Sequence, residues 1–226
     1  MKMRDRCCFN FILAVLLATM LVSCASPTRG TIPFEVTPEE YAKSSGQKGV
    51  VLVSIDWGRK WKCGQFENAE LLDLGFDRLP LKPVPQGATP ELFLDGPPRL
   101  TKRRGYQNYA LLVPPGEYAL TSFRVKAAKS ISDVGVFSAD RTHLVPDGQV
   151  KSGTFRVDPG EVVYIGHFHL DCYAEPIPWR YYIQDRAGFN EYLQEAKSAH
   201  PYMDVTKAQY RLFRTKDFGI DFQLSD

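Results

Sequence analysis

VVLVSIDW, residues 50–57, is where the period of this chain becomes two. Val51, Val53, Ile55 and Trp57 fall on one side of an extended backbone, and Ser54 and Asp56 on the other. Branched and aromatic residues alternating with polar ones read as a strand with one covered face. ELLDLGFD (70–77) repeats the pattern, with Leu72, Leu74 and Phe76 set against Asp73, Gly75 and Asp77. ELFLDG (91–96), YQNYALLV (106–113), EYALTSFRV (117–125), VGVFS (134–138), GTFRV (153–157) and EVVYIGHFHL (161–170) continue it. Turn residues punctuate these runs at Pro97-Pro98, Pro114-Pro115-Gly116, Pro146-Asp147-Gly148 and Asp158-Pro159-Gly160. Helical stretches between the runs, which βαβ units require, are not legible. The spacing predicts a mainly β fold, an antiparallel β-sandwich of Ig-like or transthyretin-like type.

Two short helices frame the strands. Thr37-Pro38-Glu39-Glu40 supplies a cap, a proline at the first helical position and acids in the first turn, which predicts a helix over Pro38–Ser44. In AGFNEYLQEAKSAHP (187–201), Phe189, Tyr192, Leu193 and Ala196 recur at helical spacing, and Pro201 stops the run. An amphipathic C-terminal helix is expected from about 188 to 199. VTKAQYRLFRT (205–215) fits a helix or a strand, and FGIDFQL (218–224) reads as a final strand.

Pro114-Pro115-Gly116-Glu117-Tyr118 and Asp158-Pro159-Gly160-Glu161-Val162 echo each other. Pro followed by Gly suits a type II turn, so each is expected to close a hairpin. The PGEY … PGEVVYIG pairing resembles uncharacterised bacterial envelope lipoproteins with a sandwich domain and no assigned activity. That resemblance spans roughly residues 105–170. It implies a fold and carries over no catalytic residue.

The N-terminus gives an address. Lys2, Arg4 and Arg6 precede FNFILAVLLATMLV (9–22), an apolar run shorter than the roughly 20 residues a membrane-spanning helix needs. Leu21-Val22-Ser23-Cys24 then resembles the lipobox of bacterial lipoproteins. The resemblance implies a signal peptide over 1–23, palmitate or another acyl chain on Cys24, and a tether over 24–33. A single domain is expected over 34–226. Ala25 rather than Asp after the cysteine implies the outer membrane, with the domain facing the periplasm. Other readings are a plain secreted chain cut near Ala25 and an uncleaved anchor. Of the 28 basic and 26 acidic residues, Lys2, Arg4, Arg6 and Asp5 leave with the signal, so the remaining chain is close to neutral. A neutral chain has no global attraction to nucleic acid.

Five cysteines are present. With Cys7 and Cys8 in the signal and Cys24 lipidated, Cys63 and Cys172 remain. In an oxidising compartment they are expected to pair, closing a loop worth roughly 4–5 kcal/mol in the chain-entropy model. Two free thiols or a reactive pair are the alternatives, and no C-x-x-C motif occurs.

GHFHLDC (166–172) is the best chemical candidate. Alternation sets Val162, Tyr164, Phe168 and Leu170 on one face and His167, His169 and Asp171 on the other. Two imidazoles and a carboxylate on one face are a partial metal-ligand set, although a wet strand face gives the same pattern. Hydrolase, metalloprotease, nucleotide-loop and dinucleotide signatures are missing from the sequence. Aromatics gather at Trp57, Trp61, Trp179, Tyr181 and Tyr182, and Lys102, Arg103 and Arg104 form a cationic loop. Trp61 and that loop are the candidate partner-binding residues. The expectation is a membrane-anchored, non-enzymatic binding or assembly module of the cell envelope, with a protein partner and no cofactor. A metal-binding or hydrolytic protein using His167, His169 and Asp171, and a cell-wall glycan binder, are the alternatives.

Overall fold

A computed structural model describes residues 35–85, 87–98, 105–173, 175–211, 213 and 225. The signal and Cys24, the tether, Lys102, Arg103 and Arg104, and the FGIDFQL segment lie outside them. All described residues fall in one unit, Ile32–Asp226. Among them no helix is long and apolar enough to cross a membrane.

Helix α1 spans Pro38–Ser44, as its cap predicts: Thr37 Oγ1 accepts from the Glu40 amide at 3.2 Å. The strands follow as β1 (Gly49–Ile55), β2 (Lys60–Cys63), β3 (Phe66–Arg78), β4 (Leu92–Asp95), β5 (Gln107–Val113), β6 (Gly116–Ala128) and β7 (Val134–Ala139). After a short helix α2 (Arg141–Leu144) come β8 (Thr154–Val157), β9 (Val162–Asp171) and β10 (Ile177–Tyr181). Helix α3 (Arg186–Ala199) and a two-residue β11 (Gln209–Tyr210) complete the order.

Two sheets pack face to face. The first has the order β10-β9-β1-β5, with β11 also on β9; the second has the order β2-β3-β6-β7, with β4 on β3 and β8 on β6. Between them lie Phe76, Phe155, Phe168 and Phe213, whose ring centroids are about 6 Å apart in mostly edge-on pairs. Burying each such ring stabilises the fold by about 1.5–3 kcal/mol. Arg180, also fully buried, sets its guanidinium carbon 4.3 Å from the Phe213 ring centre and 4.9 Å from that of Tyr182.

The pairing departs from an all-antiparallel sandwich on β9, which has a parallel neighbour in both β1 and β11. β1 and β9 run parallel, Val50 opposite Val162 and Leu52 opposite Tyr164. The two Pro-Gly turns also do something other than close hairpins. Pro114-Pro115 leads from β5 in the first sheet to β6 in the second, and Asp158-Pro159-Gly160 leads from β8 in the second to β9 in the first. The second is still a β-turn, since Gly160 has φ +74° and the Glu161 amide donates to Asp158 O at 3.1 Å. Turn chemistry fixes the reversal of the chain and leaves open which sheet receives the next strand.

β1 is buried at all seven positions rather than on alternate ones. Its second face, which carries Ser54, lies under α3. Asp185 caps that helix, its Oδ1 accepting from the Gly188 amide at 2.7 Å, and Phe189, Tyr192, Leu193 and Ala196 form the buried face. In β3 a bulge between Leu71 and Asp73 shifts the alternation, so Leu71, Leu74 and Phe76 are buried while Leu72 is only half-buried. Asp73 and Asp77 are buried as well, held by Arg124 and Arg141 respectively.

Candidate functional site

The site begins with a glycine. Gly166 sits in β9 at φ +110°, and there the register with β1 slips: Leu52 faces Tyr164, but Ser54 faces His167. This is a bulge, which reverses the side-chain alternation beyond it. Tyr164 therefore shares a face with His167, contrary to the strict alternation expected for EVVYIGHFHL, while Phe168 remains in the core between the sheets. A Cβ at position 166 would lie 3.0 Å from Tyr181 O and 3.0 Å from the Tyr182 ring. Only glycine fits.

The face so formed is not simply wet. His167 Nδ1 meets the Tyr164 hydroxyl at 2.5 Å, and His169 Nδ1 meets the Tyr106 hydroxyl at 2.9 Å. Tyr181 stacks on His167 with centroids 5.4 Å apart and lies 5.1 Å from His169. Tyr106 stands edge-on to His167 at 4.8 Å and to Tyr181 at 5.6 Å. Behind them Tyr192 of α3 packs 4.9 Å from Tyr164, and Ser54 Oγ donates to Asn108 Oδ1 at 2.6 Å. Tyr106, His167, His169 and Tyr181 are all half-buried, so the cluster is a ledge open on one side.

Its electrostatics are quiet. Burial, with His169 adding to it, lowers His167 to about 4. Burial and the Lys60 ammonium lower His169, against the opposing pull of Asp56 and Asp171. Burial raises the Tyr106 and Tyr164 hydroxyls above their ordinary range. Near neutral pH the ledge therefore offers uncharged imidazoles, phenols and ring faces, a surface suited to stacking and hydrogen bonding. Among the described residues no group of three or more His, Cys, Asp and Glu side chains stands placed to hold a metal ion. Asp171 instead accepts from the Tyr173 amide at 3.0 Å.

Beside the ledge the chain is pinned. Cys63 and Cys172 are bonded, which joins the end of β2 to the residue that follows β9. Asp56 accepts from the Gly58 amide at 2.7 Å and from Lys60 Nζ at 2.5 Å, shaping the turn that leads out to Trp61. Trp61 is 68% exposed, with the Arg59 guanidinium 5.4 Å from its ring centre. Tyr173, next to the other half-cystine, is 92% exposed. Trp57 and Tyr182, by contrast, are buried, with the Trp57 indole donating to Tyr109 Oη at 2.7 Å. The aromatic-rich stretches thus divide into core rings and surface rings. Sequence reasoning missed Tyr106, which sits 61 and 63 positions from the histidines it touches. It also placed Tyr164 on the wrong face, although the glycine inside the strand was the signal of the bulge.

Comparison with known proteins adds no relative: no protein-family model matches the chain, and no curated protein and no solved structure matches it significantly.

Proposed function

We propose that this chain is a lipid-anchored, non-enzymatic binding module of the bacterial cell envelope. Cys24 anchors it to the outer membrane, the domain faces the periplasm, and it docks an envelope protein through the surface around Trp61. The lipobox-like Leu21-Val22-Ser23-Cys24 supports the anchor. The observation that carries the binding role is Trp61 itself: a large apolar ring, exposed, flanked by Arg59, Lys60 and Lys62, on a strand tied down by the Cys63–Cys172 bond. An exposed tryptophan beside an arginine on a rigid support has the composition of an interface anchor. The neutral ledge of Tyr106 and Tyr181 favours one second reading, stacking on cell-wall glycan.

A crosslinked pull-down of the tagged chain from native membranes tests the reading. A stoichiometric envelope protein is expected, and its capture should fall on Trp61→Ala or when Lys102, Arg103 and Arg104 are replaced by serine. Capture unchanged in both variants overturns the Trp61 surface. Co-sedimentation with purified peptidoglycan, lost on Tyr181→Ala, would move the conclusion to the glycan reading. For the anchor, Cys24→Ala should leave the unprocessed precursor, and normal cleavage of that variant would remove the lipid from the account.

A further inference from the structure

Four strands end the two strand orders, and three of them are closed to a further neighbour. β5 takes a β-bridge from Glu35 at Leu111, and the Val36 amide donates to Ala110 O at 2.8 Å. β10 carries Pro178 in mid-strand, and β2 carries Lys60 and Lys62. A covering segment, a proline and lysines are the devices by which sheets refuse additional strands. β7 has none of them. Its sequence is VGVFSA, without charge or proline, and among the described residues it pairs with β6 alone.

The strand is also bare. Every residue from Val134 to Ser138 is exposed, Val136 to 57%. Ile131, in the turn that leads into it, is fully exposed. On the other side of the strand the Phe137 ring packs edge-on against Phe66 at 5.3 Å, beside a hollow of about 270 Å³ that Ala127, Gly135, Lys129 and Asp133 also line. Six residues present about 20 Å of backbone whose outward amides and carbonyls form a template for one more strand.

The flanking charges choose the occupant. Asp133 precedes the strand and Asp140 follows it, both exposed. If a second copy paired antiparallel about the middle of β7, Asp133 of each chain would lie opposite Asp140 of the other. Like charges directly opposite destabilise a strand pair. A segment with basic residues at both ends of an apolar run meets the same two carboxylates favourably. We infer that β7 accepts an extended, apolar, basic-flanked strand from a different polypeptide, which extends the second sheet by one strand. This surface is separate from the one around Trp61.

The probe is a fluorescein-labelled peptide of alternating valine and threonine with a lysine pair at each end, titrated with the full domain and read by fluorescence anisotropy. Saturable binding is expected. A peptide with glutamate pairs at its ends should bind roughly tenfold more weakly or worse, with the gap narrowing as salt rises. Val136→Lys should abolish binding while Trp61→Ala leaves it unchanged, and Ser138→Lys replaces the first variant if that one fails to fold. No binding of the lysine-flanked peptide, or equal binding by the folded lysine variants, overturns the inference. So does a concentration-dependent dimer in sedimentation velocity that Val136→Lys dissolves, because the occupant would then be a second copy.

Discussion

β1 and β7 draw on almost the same residues and end in opposite states. GVVLVSI and VGVFSA are both short, charge-free and rich in valine. The first is buried at every position and the second is exposed at all but its last. Position in the sheet makes the difference. β1 lies between β9 and β5, with the second sheet on one face and α3 on the other, whereas β7 has β6 beside it and nothing further out among the described residues. An apolar strand states a need for cover. In β1 the chain meets that need itself, and in β7 it is left for another molecule to meet.

Substitutions along this contrast should fall in a steep series. Ile55→Ala, in the fully buried strand, should cost about 2–5 kcal/mol in urea denaturation, through lost transfer energy plus a cavity. A cost under about 1 kcal/mol would mean that β1 is not the centre of the core. The cover over β9 has a pH signature. Above about pH 6.5 His167 is neutral whether the chain is folded or unfolded, so it leaves stability flat. Between there and its folded value of about 4, the unfolded chain gains a proton that the folded one refuses. Stability should therefore fall on acidification across that window, by up to about 3 kcal/mol. His167→Gln should flatten the slope, and an unchanged slope in that variant would show that α3 and the tyrosines do not shield the ring. Gly166→Ala should cost about 2 kcal/mol through its φ of +110° and its approach to Tyr181 O. A neutral result would detach the bulge from the placement of His167. At the far end of the series, Val136→Ala should change stability by no more than about 0.5 kcal/mol, since its side chain is largely in water.

Much of the local structure was legible. Thr37 and Pro38 marked the first helix, each run of period two among the described residues became a strand while β2 and β10 went unread, and the only two cysteines outside the N-terminal segment proved to be bonded. What was not legible is long-range. Period two tells which side chains share a face and says nothing about what covers it, so Ser54 and Asp56 read as solvent-facing although both are buried. The parallel pairing of β1 with β9 joins segments more than a hundred positions apart, and no local pattern encodes it. The ledge shows both cases at once. His167 and His169 announced themselves by spacing, but Tyr106 and Tyr181 reach them only through the assembled sheet. The expected face of Tyr164 was lost to a single bulge residue.

The Cys63–Cys172 bond has one more consequence. Trp61 lies two positions before one half-cystine and Tyr173 one position after the other, so a single covalent link fixes the local backbone of both exposed rings. Reduction would free the two aromatics in one two-electron step. A partner held by both would then lose them together, and its affinity would follow the thiol–disulfide balance of the compartment around it.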